Sequence, residues 1–446
     1  MDCCKVSVIV PSLNVVPYIR KCMDSILNQT LKEIEVFAVD AASTDGTHEI
    51  LEEYARMDRR VTLLEDTQKS TGFAKNLGIV KSRAPYIAIV ESDDYIALDM
   101  LEKLYEKAEE TGADIVKANY STFVEEDGSE SVFPKSVSSR STDYNRLLNL
   151  EDGDDLRHFT WVMYEWLGIY RKDFLMGNHI LHNESKGASF QDTGFWFLTF
   201  TYAKSIYLMD NHFYFYRKDN PYASMKSTGK LHDICAEYDY IKRCMGEESA
   251  TFHRISKAFY HGFFHDNLAV YERIGDELKP ELLNIMAKTL RTAWRKGQID
   301  GQLYVGKEWK LLKELLESPD LFYKNRCEET QERERNLQGL LNRVAGRKAV
   351  IVFGAGNYGS NLAYLLKARG VIVTCFSDND ERKHGKTLNG IPIESLQKCM
   401  KAYANATYLV ANELKSEEIK KGLTDQGIKS DQIIICMIAE LTGTVI

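Results

Sequence analysis

Residues 6–51 read VSVIVPSLNVVPYIRKCMDSILNQTLKEIEVFAVDAASTDGTHEIL and set two apolar runs around one helical pattern. VSVIV and IEVFAV are dominated by Val, Ile and other apolar residues, as strands buried in a parallel sheet are. VPYIRKCMDSILNQ, between them, spaces its apolar residues as a helix does. The alternation continues through the helix THEILEEYARMD, the strand VTLLED, the helix GFAKNLGIVKSRA and the strand YIAIVESDD. ALDMLEKLYEKAEETG and ADIVKANYS add one more helix and strand. From Lys5 to about Ser121 this βαβ succession predicts an α/β, doubly wound, parallel sheet.

YIAIVESDD raises a question of charge. Glu91, Asp93 and Asp94 crowd at the strand's C-terminal edge, where they resist joint ionisation unless something positive lies among them. A solvated acidic turn is one reading. A ligand site is the other, because open α/β sheets bind ligands beyond the carboxyl ends of their strands. Two more loops end at that edge: PSLN at 11–14 and DAASTDGT at 40–47. Their small, turn-forming residues suit close approach to a flat base and a ribose. ESDDY at 91–95 offers hard oxygens for Mg2+ or Mn2+, which would neutralise a diphosphate.

The 446 residues exceed one ordinary domain. A net charge of −8 argues against a nucleic-acid partner, which calls for a basic face. No apolar run approaches the roughly 18–20 residues of a membrane span. MDCCKVSVIVPS enters a strand-like run directly, the pattern of a chain without a signal peptide. Nine scattered cysteines without paired spacing fit thiols in a reducing compartment better than disulfides or a zinc cage.

Residues 122–226 are irregular and rich in aromatics, including Trp161, Trp166 and Trp196. A helical pattern then runs to about 345, and the charged stretch EETQERERN at 328–336 leads to a boundary. KAVIVFGAGNYGSNLAYLLKARG opens a second α/β unit. The expected domains are 1–227 (α/β), 228–346 (helical) and 347–446 (small, α/β). His253, His261 and His265 have helical spacing without a ligand pattern and read as a packed helix face rather than a metal site. KAFYHGFF at 257–264 is a candidate to cover another subunit or to approach a lipid-linked acceptor.

The run at 6–51, with AKNLGI and YIAIVESDDYI, resembles family 2 glycosyltransferases of the GT-A fold, from residue 5 to about 226. The resemblance implies that Glu91-Ser92-Asp93 is the Asp-x-Asp motif binding metal and nucleotide diphosphate, with Asp93 as the metal ligand. Glu91 replaces the usual Asp and reaches a methylene further. Pro11, Leu13, Asp40 and Lys75 join Glu91 and Ser92 as implied nucleotide-sugar-binding positions. Ala41 stands where the family commonly has a second acid, which leaves Asp40 to take over base recognition. UDP is the favoured nucleotide, with CDP, dTDP and GDP open. Asp192, in GASFQDTGFWFLTF, matches the general base, and capping of the following helix is the alternative. Arg217 and Lys218 are implied to approach phosphate, or are ordinary surface cations. The three tryptophans are acceptor-stacking candidates or core.

VIVFGAGNYG places Gly354, Gly356 and Gly359 in G-x-G-x-x-G spacing between a strand and a helix, and Asp378 follows the next strand as a ribose-binding acid would. This block resembles Rossmann-like modules appended to bacterial sugar-modifying enzymes. A nucleotide-binding, structural or oligomerising role is favoured over an oxidoreductase, and a bound dinucleotide stays open.

The expectation is an inverting, metal-dependent glycosyltransferase that moves a sugar from a nucleotide-sugar to a glycan or lipid-linked acceptor in bacterial surface polysaccharide synthesis. Its expected location is cytoplasmic, with the inner face of the membrane, peripheral membrane association and a homo-oligomer as candidates. The alternatives are an NAD-dependent sugar-nucleotide oxidoreductase or epimerase acting through the C-terminal domain, and a non-catalytic nucleotide-sugar-binding protein.

Overall fold

β1 (Val6–Ser12) is flanked in parallel by β2 (Ile34–Asp40) and β4 (Tyr86–Ile89), and β3 (Val61–Glu65) extends the sheet beyond β2. Every residue of β1, β2 and β4 is buried, as the unalternating apolar runs require. The crossovers are α1 (Ile19–Leu27), α2 (Thr47–Met57) and α3 (Thr71–Lys81). A computed structural model describes residues 4–126, 129–150, 156–162, 164–221, 231–412 and 415–442.

Next come β5 (Tyr95–Ile96), α4 (Met100–Thr111), β6 (Ile115–Glu126), β7 (Ser129–Lys135) and β8 (Leu147–Asn149). β9 (Gly168–Arg171) runs antiparallel between β4 and β6. After α5 (Lys172–Gly177) and α6 (Gln191–Tyr202), β10 (Ser205–Arg217) pairs in parallel with β6. The order is β3-β2-β1-β4-β9-β6-β10-β5, with β7 on β6 and β8 on β10. The loops after β1, β2 and β4 therefore share one edge, as the spacing of the motifs predicted.

A helical layer follows: α7 (Leu231–Met245), α8 (Ala250–Tyr271), α9 (Lys279–Arg295) and α10 (Glu308–Glu317). The aromatic run of α8 lies inside it. Phe259 and Phe263 meet Tyr238 edge-on, and Tyr260 and Phe264 are equally buried. That run is thus unavailable to another subunit or a lipid. His261 and His265 both face Glu308 across this layer, and no group of three or more His, Cys, Asp or Glu is arranged to hold a metal among the described residues. No described helix is long and apolar enough to cross a membrane.

The chain forms two compact units, Met1–Pro319 and Asp320–Ile446. The second begins with α11 (Pro319–Val344) and continues with β11 (Val350–Phe353), α12 (Asn357–Ala368), β12 (Cys375–Ser377), β13 (Thr387–Leu388) and β14 (Ile391–Glu394). Then follow α13 (Leu396–Ala402), β15 (Thr407–Val410), α14 (Ser416–Asp425), β16 (Ile433–Ile435) and α15 (Ile438–Thr442). The sheet order is β13-β14-β12-β11-β15-β16, parallel except for the β13–β14 hairpin. Leu340 and Val344 of α11 enter this unit's core beside Val352 and Leu366, so the end of the charged helix packs with the sheet that follows it. A fragment beginning at Asp320 is expected to fold alone, read as a cooperative thermal transition by circular dichroism. A fragment starting at residue 347, without those two core residues, should melt lower.

Candidate active site

α3 starts where Ser70 accepts the Phe73 amide at 3.2 Å, while the Ser70 amide donates to Asp66 Oδ2 at 2.8 Å. Its buried face presents Lys75 beneath the acidic turn. Lys75 Nζ donates to Glu91 Oε1 at 2.8 Å and to Glu165 Oε1, and the other Glu165 oxygen meets His182 Nε2. The Glu165 and His182 side chains are wholly buried, and the imidazole stacks on Phe195 with ring centres 4.1 Å apart.

The charges in this cluster determine one another. Burial alone would lower Lys75, but Glu165 and Glu91 outweigh it and hold the ammonium protonated well above the ordinary lysine value. Burial would raise Glu165, yet Lys75 and His182 hold its carboxyl down to about 2. Burial pulls His182 below its ordinary value, against the pull of Glu165. Glu91 is raised, chiefly by burial, with Lys75 opposing. A second buried lysine supports the turn that carries Glu165. Lys117 Nζ donates to the Tyr164 carbonyl at 2.8 Å and to Tyr170 Oη at 2.9 Å, and Tyr170 donates to the Glu165 carbonyl at 2.7 Å. Burial lowers Lys117 to about 7.

The three acids after β4 have three different surroundings. Glu91 is held by Lys75. Asp94 is buried, accepts the Arg217 amide at 2.7 Å and the Tyr214 hydroxyl at 2.8 Å, and is raised well above the carboxylate range by burial and by Asp93. Tyr214 also accepts the Glu91 amide at 3.0 Å, which pins the turn to β10. Asp93 is half-buried. Its Oδ2 accepts from Asn220 Nδ2 at 2.7 Å, and its other oxygen has no donor among the described residues. A hard carboxylate oxygen of this kind suits Mg2+ or Mn2+, and Asp93 is the residue of the turn that would hold such an ion.

Asp192 occupies the first turn of α6, two residues after Phe190, which adopts a left-handed conformation as N-cap. The capping alternative is therefore not how Asp192 is used. Its partly buried carboxylate makes no hydrogen bond among the described residues. Dense surrounding protein pushes it up to about 6, Glu165 and Glu91 add to the rise, and Lys75 opposes. Other side chains fix the helix start. Gln191 Oε1 accepts the Ser189 amide at 2.5 Å, and Gln191 Nε2 donates to the Ser185 and Gly187 carbonyls, both at 3.1 Å. Glu237 of α7 accepts the Gly194 amide at 3.1 Å and Asn183 Nδ2 at 2.8 Å, and burial raises it to about 8. A Cβ on Gly194 would lie 2.1 Å from Glu237 Oε1, so a larger residue there would displace the carboxylate from this position.

The remaining predicted positions are distributed as follows. Pro11 is buried within β1, Ser92 is buried in the acidic turn, and Leu13 is half exposed on the loop. Both Asp40 oxygens are occupied: Ser43 Oγ donates at 2.6 Å, the Ser43 amide at 3.1 Å, and His48 Nδ1 stands at 3.0 Å. Asp40 thus shapes its own loop, which Asn14 joins through the Thr44 amide at 2.9 Å. Arg217 lies between Glu125 and Asp219, each 3.2 Å away, so it braces the turn. Lys218 Nζ rests 3.9 Å from the Tyr216 ring centre without an ion pair among the described residues. Trp161 and Trp166 are core, Trp166 stacking on Tyr214 at 4.1 Å, and only Trp196 is partly exposed.

In the second unit Gly354 (φ +102°) forms the turn, Gly356 precedes α12, and Gly359 packs against the Gly354 carbonyl. Asp378 reaches the same turn. Its carboxylate, however, accepts the Ala355 amide at 2.7 Å, the Asp380 amide at 2.8 Å and Lys383 Nζ at 2.9 Å. The predicted residues come together, but the acid meant for a ribose is occupied by the turn.

Glu165, His182, Lys117 and Glu237 were not picked out from the sequence. Glu165 and Lys117 did leave a signal, each a charge beside apolar or aromatic neighbours, in MYEWLG and IVKA.

Residues 7–177 match the family model described as Glycosyl transferase family 2, and residues 346–434 match that described as C2185-like, N-terminal. The chain is 32% identical over 222 residues to the uncharacterized glycosyltransferase EpsJ of Bacillus subtilis (strain 168), an overlap of 48% of this chain and 61% of EpsJ. The chain therefore spans about three fifths of that relative's length. It is 30% identical over 216 residues to glycosyltransferase GlyG of Streptococcus pneumoniae serotype 4, covering 48% of this chain and 70% of GlyG. S. aureus TarS 1–349, solved with UDP-GlcNAc, superposes with a TM-score of 0.56 at 20% identity over 75% of this chain and 92% of that one. The parallel-rich sheet is thus a GT-A glycosyltransferase fold. The chain belongs to glycosyl transferase family 2.

Lys75→Ala leaves Glu165 buried with only His182 facing it. The first unit is expected to lose stability on the order of 3–5 kcal/mol, the usual cost of removing one partner of a buried ion pair. Urea denaturation followed by tryptophan fluorescence measures this, and an unchanged midpoint would show the cluster to be structurally unimportant.

Proposed function

We propose that the protein is an inverting, metal-dependent glycosyltransferase that moves a sugar from a nucleoside diphosphate, UDP being favoured, to a hydroxyl of a glycan or lipid-linked acceptor in bacterial surface polysaccharide synthesis. One observation carries the reading: Asp192, a carboxylate with no hydrogen bond among the described residues and a pKa raised to about 6, lies within electrostatic reach of the acidic turn after β4. The family relatives and a fold neighbour solved with UDP-GlcNAc support the donor class.

In this reading Asp93 holds the divalent ion through its free oxygen. A bound Mg2+ or Mn2+ supplies charge neutralisation at the departing diphosphate. Lys75 keeps Glu91 fixed beside the donor, and the loops 11–14 and 40–47 enclose the nucleotide. Asp192 takes the proton of the acceptor hydroxyl as that oxygen bonds to the anomeric carbon. The bond from that carbon to the diphosphate breaks, and its electron pair leaves with the nucleotide. One base and one displacement invert the anomeric centre. The second unit is assigned a structural, Rossmann-like role, because Asp378 already serves its own turn.

Two experiments test this. A thermal-shift panel of UDP, CDP, GDP, dTDP and NAD(H), each with and without Mn2+, should show metal-dependent stabilisation by one nucleoside diphosphate. Asp93→Ala should abolish that dependence with the melting temperature of the free protein unchanged, whereas stabilisation by NAD(H) alone would overturn the proposal. For the chemistry, Asp192→Asn should lower transfer by about two to four decades while leaving nucleotide affinity near the parental value. The deprotonated form is the active one, so kcat/KM should rise with pH through about 6 and then level off. An ordinary aspartate would place that limb about two pH units lower. A parental rate in the Asn variant would remove Asp192 from the mechanism.

A further inference from the structure

α9 and α10, joined by residues 296–307, run antiparallel, Arg291 meeting Leu316 and Trp294 meeting Trp309. Arg291 Nε fastens them by donating to the Leu316 carbonyl at 2.8 Å, and Trp294 stacks on Trp309 with ring centres 5.7 Å apart. Residues 288–313 carry Lys288, Arg291, Arg295, Lys296, Lys307, Lys310 and Lys313 against Asp300 and Glu308, in a chain whose net charge is −8. All the cations but Arg291 are exposed. Lys288, Arg295 and Lys307 have no ion pair among the described residues, while Lys296 and Lys310 stand 3.8 and 3.6 Å from Glu247 and Glu314. Amid these cations Trp294 is 46% exposed and Val305, in the connecting loop, 68%.

We infer that the α9–α10 pair is a docking surface for an anionic phospholipid bilayer. An amphipathic indole seats at the headgroup level, and surrounding lysines and arginines are drawn to anionic lipid. Pairing of this surface with itself in a twofold dimer would set like charges against each other. None of the exposed cations of this surface is among the residues placed in the catalytic cleft; Lys257 of α8 faces Asp300 on the surface side. Surface binding there would hold a soluble enzyme beside a lipid-linked acceptor, but the inference does not depend on the proposed transfer, because docking is read with no substrate present.

The test is co-sedimentation of the full chain with vesicles of phosphatidylglycerol and phosphatidylcholine in equal parts, and with phosphatidylcholine alone. Binding is expected only to the anionic vesicles. It should weaken strongly as salt rises from about 0.1 M to 1 M and the screening length falls from about 10 to 3 Å. Trp294→Ala should weaken binding severalfold, and R295E/K296E/K310E at least tenfold, with melting temperatures unchanged. The milder R295Q/K310Q pair replaces the triple variant should that one fold poorly, and is expected to lose severalfold. Equal binding to neutral vesicles, no binding at all, or parental binding by the charge variants would overturn the inference. So would a dimer in light scattering that Trp294→Ala dissociates, which would assign the surface to a second copy. Retention by single-stranded oligonucleotides in preference to the vesicles would overturn it as well.

Discussion

The buried ammonium of Lys75 is the constraint around which the first unit is organised. A cation only 3% exposed persists there because Glu91 and Glu165 face it directly and His182 closes the far side of Glu165. These four residues come from α3, from the turn after β4, from the segment entering β9 and from the segment after α5. Lys75 and Glu165, 3% and 0% exposed, cannot separate without leaving a charge without its main partner inside the protein. The energetic gain from such a cluster over an apolar one is small, because desolvation offsets the attraction. Its distinctive consequence is geometric: Glu91 is set in one position, and the turn that carries Asp93 is set with it.

This also explains how three acids coexist within four residues. Repulsion among them is relieved by giving each a separate environment. Lys75 balances Glu91, Asp94 is held by Tyr214 and the Arg217 amide, and half-buried Asp93 has Asn220 as its one side-chain donor among the described residues. The pinning continues through the aromatic layer, where Tyr214 stacks on Trp166, the residue after Glu165. The acidic turn is thus neither a free solvated loop nor a set of three equivalent ligands.

Much of this architecture was legible in the sequence, and the parts that were not share a physical cause. The parallel half of the sheet announced itself because its strands are buried on both faces and read as unbroken apolar runs. The antiparallel β9 was missed, since GIYR is four residues long and sits in an aromatic-rich stretch whose periodicity signals neither helix nor strand. Among site residues, those placed by short-range motif spacing were found together at one edge. Glu165 and His182 were missed because their roles depend on contacts 90 and 17 residues away in the chain, which no local pattern encodes. Asp40 and Arg217 read as ligand-facing, yet each also holds neighbours of its own: Ser43 and His48 lie close to Asp40 in the chain, and Arg217 meets nearby Asp219 and distant Glu125.

The two units make the same point from opposite directions. Both place an acid at the carboxyl edge of a parallel sheet, beside a turn that opens toward solvent. In the second unit Asp378 is met by two backbone amides and a lysine, so the turn is complete without a ligand. In the first unit Asp93 keeps an oxygen without a donor, and Asp192 has no hydrogen bond among the described residues although Glu237, Gln191 and Asn183 are all committed to holding its helix. A protein that satisfies every neighbour of a carboxylate while leaving the carboxylate itself unsatisfied keeps that group's pKa and geometry available to something that arrives from solution. That contrast is the reason the proposed chemistry is assigned to the first unit, with Asp192 and Asp93 as the residues that would carry it.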